Sequence, residues 1–358
     1  MNTRFPQSLV IAILSLLLIA SSSLDSNAQE KQRGSTSQAT QRSHQVADKQ
    51  AQERELKNHS PLITADQLKS LIDAGDKSLR ILEPATSTEG YSAGHVPNAQ
   101  FVHWVTDMTN PENRELYNNL TADQFAKLMK KLGIGNESRI VIYDRLSNRL
   151  STRLYWTMKY YGHDKVQVLD GGHFAWGSKF KQSKEIVKFE QVDYKLGKPN
   201  TEILAEMKFV KEQLNNPDAR FVDGRPPEQF KGKVPGRVFH TNQPHPRLGH
   251  IPKATNIFWN DNFKKDGSFK SKDELRTLYQ NAGIKPDQCV VTYCNEGLHA
   301  APPWFVLTQL LGYKNVKLYD SSMGEWTKTK NPMAVIVEES DSPKQDQPSG
   351  SAKKEAKK

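Results

Sequence analysis

The sequence predicts an α/β protein built from two copies of one domain, each a mainly parallel sheet flanked by helices on both faces. Three observations predict it. The chain has 358 residues, long for one ordinary domain and suited to two. It repeats itself: Thr121–Trp176 runs without a gap onto Ser271–Trp326, 150 residues later, with Gly133/Gly283, Tyr143/Tyr293, Gly162/Gly312, Asp170/Asp320 and Trp176/Trp326 in register. A period this long means two domains of one fold, not a solenoid. Within each copy, short apolar runs alternate with helical patterns, the order that builds a parallel sheet.

The elements can be taken in order. "RILEP" (Arg80–Pro84) pairs with "RFVDG" (Arg220–Gly224) at an offset of 140, and "AGHVPNA" (Ala93–Ala99) with "LGHIPKA" (Leu248–Ala254) at 155. Changing offsets mark loops of different length around a shared core. In the second copy "ARFVDG" and "QCVVTYC" read as buried strands. "SKDELRTLYQNAG" opens on a capping box, Ser271 with Glu274, and stops at Gly283. "PPWFVLTQLLG" carries prolines in its first turn, where no hydrogen bond is lost, and ends at Gly312. "NVKLYD" is a further strand. The copies are placed at 59–185 and 200–336, between a polar linker without periodicity (29–58) and a polar basic tail (337–358), both expected to be disordered.

The N-terminus reads as an export signal over residues 1–28: Arg4, an apolar run Leu9–Ala20, and small residues around Ser26-Asn27-Ala28. Twelve helical residues span about 18 Å, short of a bilayer core of about 30 Å, so no stable membrane anchor is expected. The mature protein is expected to be periplasmic or secreted. The formal charge is +10, but the last eight residues alone hold four lysines against one glutamate. No basic stripe interleaved with aromatics occurs, so nucleic acid is not an expected partner, whereas small anions are.

Only two cysteines occur, Cys289 and Cys294, which excludes a disulfide framework. On one strand they would be about 16 Å apart, beyond disulfide reach. Cys289, at the start of an apolar strand, reads as a small packing residue. Cys294 differs. It stands at the carboxyl end of a strand, before a tight turn into a helix, where function gathers in parallel α/β folds. Backbone N–H groups and the helix start favour an anion at its sulfur, so a depressed thiol pKa is expected. Gly297 lets the backbone close around it. The matching position in the first copy is Asp144, in the glycine-free loop "DRLSNRLST". These features point to a catalytic nucleophile rather than an inert core cysteine, one whose amide surroundings would also hold a persulfide anion.

The motifs "GHVPNA" and "GHIPKA", the loop Cys294-Asn295-Glu296-Gly297-Leu298-His299-Ala300, the ends "LDGGHFAW" and "LYDSSMGEW", and "FVDGR" together resemble the tandem-domain rhodanese family over about residues 60–335. The resemblance implies an inactive first copy, a catalytic second copy, and a sulfurtransferase that moves sulfane sulfur from an anionic donor such as thiosulfate to a thiophilic acceptor such as cyanide or a thiol. A protein acceptor is also compatible. The resemblance makes Cys294 the persulfide-forming nucleophile and Asn295, Glu296, Gly297, Leu298, His299 and Ala300 the loop that surrounds substrate. Arg225 matches an arginine near the active pocket, and Asp223 an acid that orients structure. No metal or organic cofactor is implied. The loop lacks the basic residues of thiosulfate enzymes and the Gly/Ser pattern of 3-mercaptopyruvate enzymes, so the latter donor and a non-turnover persulfide carrier remain alternatives. Ala300 stands where related phosphatases carry a phosphate-gripping arginine, which excludes phosphate-ester hydrolysis.

The segment Lys231–His250 is an insertion of the second copy. Its Lys231, Lys233, Arg237 and Arg247 could form a cationic rim over the pocket or a solvated loop. Its histidines, His240, His245 and His250, are spaced by five with prolines between, a poor metal-ligand pattern. His95 and His250 precede [Val/Ile]-Pro in both copies and read as structural, as do Trp176 and Trp326.

Overall fold

The computed structural model describes residues 60–113, 116, 118–239 and 241–336. The predicted export signal, linker and tail lie outside the described residues, as does His240. Both repeats fall in one compact unit. Among the described residues no helix is long and apolar enough to cross a membrane.

The first copy runs β1 (Leu62–Ile63), α1 (Ala65–Asp73), β2 (Leu79–Ala85), α2 (Glu89–Ala93), β3 (Ala99–His103), α3 (Trp104–Asp107), α4 (Ala122–Lys131), β4 (Arg139–Ile142), α5 (Arg149–Tyr160), β5 (Val166–Leu169) and α6 (Gly172–Gly177). The second runs β6 (Leu204–Ala205), α7 (Met207–Gln213), β7 (Ala219–Asp223), α8 (Pro227–Lys231), β8 (Ala254–Asn256), α9 (Lys272–Asn281), β9 (Cys289–Tyr293), α10 (Ala301–Phe305), β10 (Val316–Tyr319) and α11 (Ser322–Trp326). The sheets have the same order, β1-β5-β4-β2-β3 and β6-β10-β9-β7-β8, with every neighbouring pair parallel. The fold class is the one the sequence predicts.

Local signals explain the elements. Ser271 and Glu274 form the capping box of α9, and Thr121 with Gln124 forms the same box on α4 at the equivalent place. Alternate residues of the central strands enter different cores: Ile140 and Ile142 of β4 join one cluster, Val141 and Tyr143 another. That is the period of a strand buried on both faces. One segment differs from expectation. The helix from Pro302 is α-helical only through Phe305 and continues as a π-helical turn over Val306–Leu310, closed by Leu311 N–H on the Val306 carbonyl at 2.9 Å.

The copies share a core face and meet with reciprocal symmetry. The Asp320 carboxylate accepts the Asn119 amide at 2.7 Å, and the Asp170 carboxylate accepts the Phe269 amide at 2.8 Å. These are the same two repeat positions with the copies exchanged. Nearer the centre, equivalent positions touch each other: Tyr155 packs edge-on against Phe305 at 4.9 Å, and Arg149 bonds His299 at 3.0 Å. Reciprocal pairing of this kind marks a twofold relation. It breaks at one point. Arg153 of α5, fully buried, pairs with Asp320, whereas its counterpart Pro303 offers Asp170 no cation.

The broken symmetry gives a stability test. Asp320→Asn leaves the Arg153 charge buried without its partner and should cost about 3–5 kcal/mol. Asp170→Asn weakens one amide bond and should cost about 1 kcal/mol. Urea unfolding midpoints of the two variants compare them, and equal losses would contradict the asymmetry.

Candidate active site

Cys294 leaves the central strand β9 and is 1% exposed. The amides of Glu296, His299 and Ala300 hydrogen-bond to its sulfur. The expectation of a depressed thiol needs correction. Burial pushes the Cys294 thiol up to about 11, and those three amides only partly offset it, with the charge of Asp223 adding to the rise. The enclosure that aims the amides also strips water from the sulfur, and desolvation is the larger effect. The thiol is therefore protonated at rest. Cys289 is buried at the start of β9, as a packing residue should be.

The first copy shows what such a ring of amides holds. There the Asp144 carboxylate accepts the N–H of Leu146 at 2.6 Å, Asn148 at 2.9 Å and Ser151 at 2.8 Å, and the Ser151 hydroxyl at 3.1 Å. Leu146 and Glu296 occupy the same repeat position. The loop of one copy encloses a carboxyl, which burial pushes up and the amides of Ser151 and Leu146 pull down, and the other encloses a sulfur.

The second loop is clamped from three sides. From α11, the Ser322 hydroxyl accepts the amides of Cys294 at 3.0 Å and Gly297 at 3.3 Å and donates to the Tyr319 carbonyl at 2.6 Å. Ser322 holds φ +49°, and its counterpart Gly172 holds +54°. From β7, Gly224 lies so close that a Cβ there would stand 2.3 Å from the His299 carbonyl oxygen. Gly297 has φ +76°, yet Ser147 in the matching position of the first copy also adopts a left-handed backbone, at +54°. What demands glycine at 297 is proximity: a Cβ would stand 2.4 Å from Asp320 Oδ1 and 2.8 Å from Arg153 Nη1. The third clamp is the insertion. Phe239 N–H donates to the Glu296 carboxyl at 3.2 Å, and from α8, just before the insertion, Gln229 Oε1 accepts Asn295 Nδ2 at 3.0 Å.

Each predicted residue has a place. Leu298 and Ala300 join the apolar cluster around Cys294. Glu296 turns to the insertion, where burial pushes its carboxyl up to about 8, so it is mostly uncharged at neutral pH. His299 is pulled down to about 3 by burial and by Arg149. Arg149 can only donate, so His299 Nε2 accepts and the ring proton sits on Nδ1. Arg225 is 2% exposed and bonds the Asp223 carboxylate at 2.6 Å and the Gly249 carbonyl at 2.8 Å. Burial opposes its charge, but Asp223 outweighs burial and keeps Arg225 protonated. In the first copy the same contacts are made from a different position: Arg145 bonds Glu83 at 2.6 Å and the Gly94 carbonyl.

The insertion lies against the loop, but its arginines form no rim. Arg247 donates to the carbonyls of Thr327, Asn331 and Trp326 at 3.0, 2.7 and 2.8 Å, capping α11, and Arg237 to the Asn242 carbonyl at 2.7 Å. His95 stacks on Tyr91 and His250 on Phe230, each at 3.9 Å, which makes the pair structural. Among the described residues no cluster of ligands could hold a metal. Sequence reasoning missed Arg149, Arg153, Trp259 and Ser322. Only Ser322 left a signal, a serine opposite Gly172 between the matching pairs Asp170/Asp320 and Trp176/Trp326.

A duplicated parallel α/β domain with a single cysteine-centred loop in its second copy defines the class. The rhodanese-like domain matches residues 64–179 and again 206–329. The chain belongs to the rhodanese family. It is 36% identical over 271 residues to a Haloferax volcanii protein named "Putative thiosulfate sulfurtransferase", covering 74% of this chain and 92% of that one. It is 33% identical over 269 residues to the Thermus thermophilus "Sulfur carrier protein TtuD", covering 74% and 93%. The anaerobic ergothioneine biosynthesis enzyme of Chlorobium limicola shares the fold, with a TM-score of 0.69 at 21% identity over 77% of this chain and 70% of that one.

Glu296 provides a pH test. Between about 4.5, its ordinary value, and about 8, the folded protein keeps a proton that the unfolded chain has released. Raising pH through that window therefore costs stability. Relative to the parent, Glu296→Gln should gain melting temperature from pH 5 to pH 8 and level off above; a difference independent of pH would contradict a buried, raised carboxyl.

Proposed function

We propose that the protein is a thiosulfate sulfurtransferase working by a ping-pong cycle on Cys294. The observation that carries this reading is the enclosure of the Cys294 sulfur by the amides of Glu296, His299 and Ala300, at the position where the loop of the other copy encloses Asp144. The Cys294 sulfur, after losing its proton, attacks the sulfane sulfur of thiosulfate. A sulfur–sulfur bond forms to Cys294, the bond to the sulfonate sulfur breaks with its electron pair, and sulfite leaves. Negative charge on the resulting persulfide faces the amides. A thiophile, cyanide or a thiolate, then takes the outer sulfur and returns the Cys294 thiolate. The relatives named for thiosulfate sulfur transfer support the donor. The N-terminal Arg4 and the apolar run Leu9–Ala20 support an exported protein acting in the periplasm or outside the cell.

A second reading, a carrier that stores persulfide for a partner protein, is favoured by the near-complete enclosure of Cys294 and by the relative named as a sulfur carrier. Intact mass separates the readings. Thiosulfate should add one sulfur to the chain, cyanide should remove it with multiple turnovers, and Cys294→Ser should accept none while remaining folded. Loading without turnover on small acceptors would favour the carrier, and loading only from 3-mercaptopyruvate would change the donor. Because the resting thiol is protonated, the rate of loading should climb steadily from pH 6 to pH 9; a plateau below pH 7 would contradict the burial effect.

A further inference from the structure

The Cys294 loop has no cation of its own to meet an anionic donor. Arg225 lies close enough for its charge to reach Cys294, but its guanidinium is occupied by Asp223 and the Gly249 carbonyl. Arg237 and Arg247 are tied to carbonyls. Two further guanidinium groups reach the loop from the copy without the cysteine, and one of them, Arg153, is paired with Asp320. Arg149, the first residue of α5, crosses the twofold to the Cys294 loop. Its Nη1 donates to His299 Nε2 at 3.0 Å, and its guanidinium lies over Trp259, 5.2 Å from the ring centre. Trp259 in turn stacks on His299 at 5.4 Å. Arg149 Nε is buried and has no hydrogen-bond partner. A buried guanidinium N–H without an acceptor is costly unless something fills it. Arg149 and Cys294 are close enough for their charges to interact.

We propose that Arg149, from the copy that lacks a nucleophile, is the cation that binds the anionic end of the donor at Cys294. The inference rests on the sulfurtransferase reading and deepens it. Trp259 and the neutral His299 hold the guanidinium in place, and its unpartnered Nε–H meets a sulfonate oxygen of thiosulfate, or a carboxylate oxygen in a donor of that class. The first copy is then half of the substrate site rather than a scaffold.

The test uses the full chain with thiosulfate. Arg149→Gln should raise the thiosulfate KM about tenfold or more, the loss of one charged hydrogen-bonding group. Its kcat at saturating donor should stay within about threefold, and Arg149→Lys should fall between. In the Cys294→Ser background, where no chemistry occurs, calorimetry should show thiosulfate binding that Arg149→Gln weakens by a similar factor. An unchanged KM in folded Arg149→Gln overturns the proposal, as does the absence of thiosulfate binding to the Cys294→Ser protein. Should Arg149→Gln fail to fold, Arg149→Lys decides alone: a KM severalfold higher supports the proposal and an unchanged one overturns it. If the unmodified protein never acquires sulfur from thiosulfate while its Cys294→Ser form binds that anion through Arg149, the sulfurtransferase reading fails and the Arg149 assignment stands.

Discussion

The site depends on how the two copies are pinned together. Asp170 and Asp320 each reach across and accept a backbone amide from the other copy. These exchanges fix the helices that follow the two loops, α5 and α10, against each other. On one side the exchange is reinforced by Arg153, which enters from the first copy and lies beside Gly297. The backbone that encircles Cys294 is thus shaped by a residue of the other repeat. Without that contact the loop would keep its sequence but lose the wall it leans on.

Burial is the second constraint, and it acts in opposite senses on different groups. It keeps the Cys294 thiol and the Glu296 carboxyl protonated and the His299 imidazole neutral. The site at rest therefore holds little charge beyond its guanidinium groups and Asp223. A carboxylate beside an anionic substrate would be a hindrance. Here Glu296 is turned away, bonded to the Phe239 amide, and largely uncharged.

Much of this was legible in the residues. The 150-residue offset, the capping boxes at Thr121 and Ser271, and the position of Cys294 at a strand exit needed only local pattern and spacing. What was not legible is tertiary. Nothing in the loop "CNEGLHA" shows how completely it will be enclosed, so the amides around the sulfur could be anticipated but not the larger cost of desolvation. Arg247 read as a free surface cation, because the carbonyls it caps lie 79 to 84 residues away. Arg149, inside "DRLSNRLST", and Arg153 carry no local sign that they reach the other copy. The repeat identifies which positions are equivalent, but not that equivalent positions will touch.

That last contact bears on why the two copies share one chain. At a true twofold axis between identical chains, a position that meets its own counterpart must present the same side chain from both sides. Arginine would face arginine, or histidine histidine. The junction of Arg149 with His299 is open only to a fused duplication, in which the halves are free to diverge while their geometry stays matched. Covalent linkage released the axis from self-complementarity and left each half free to carry a different side chain there.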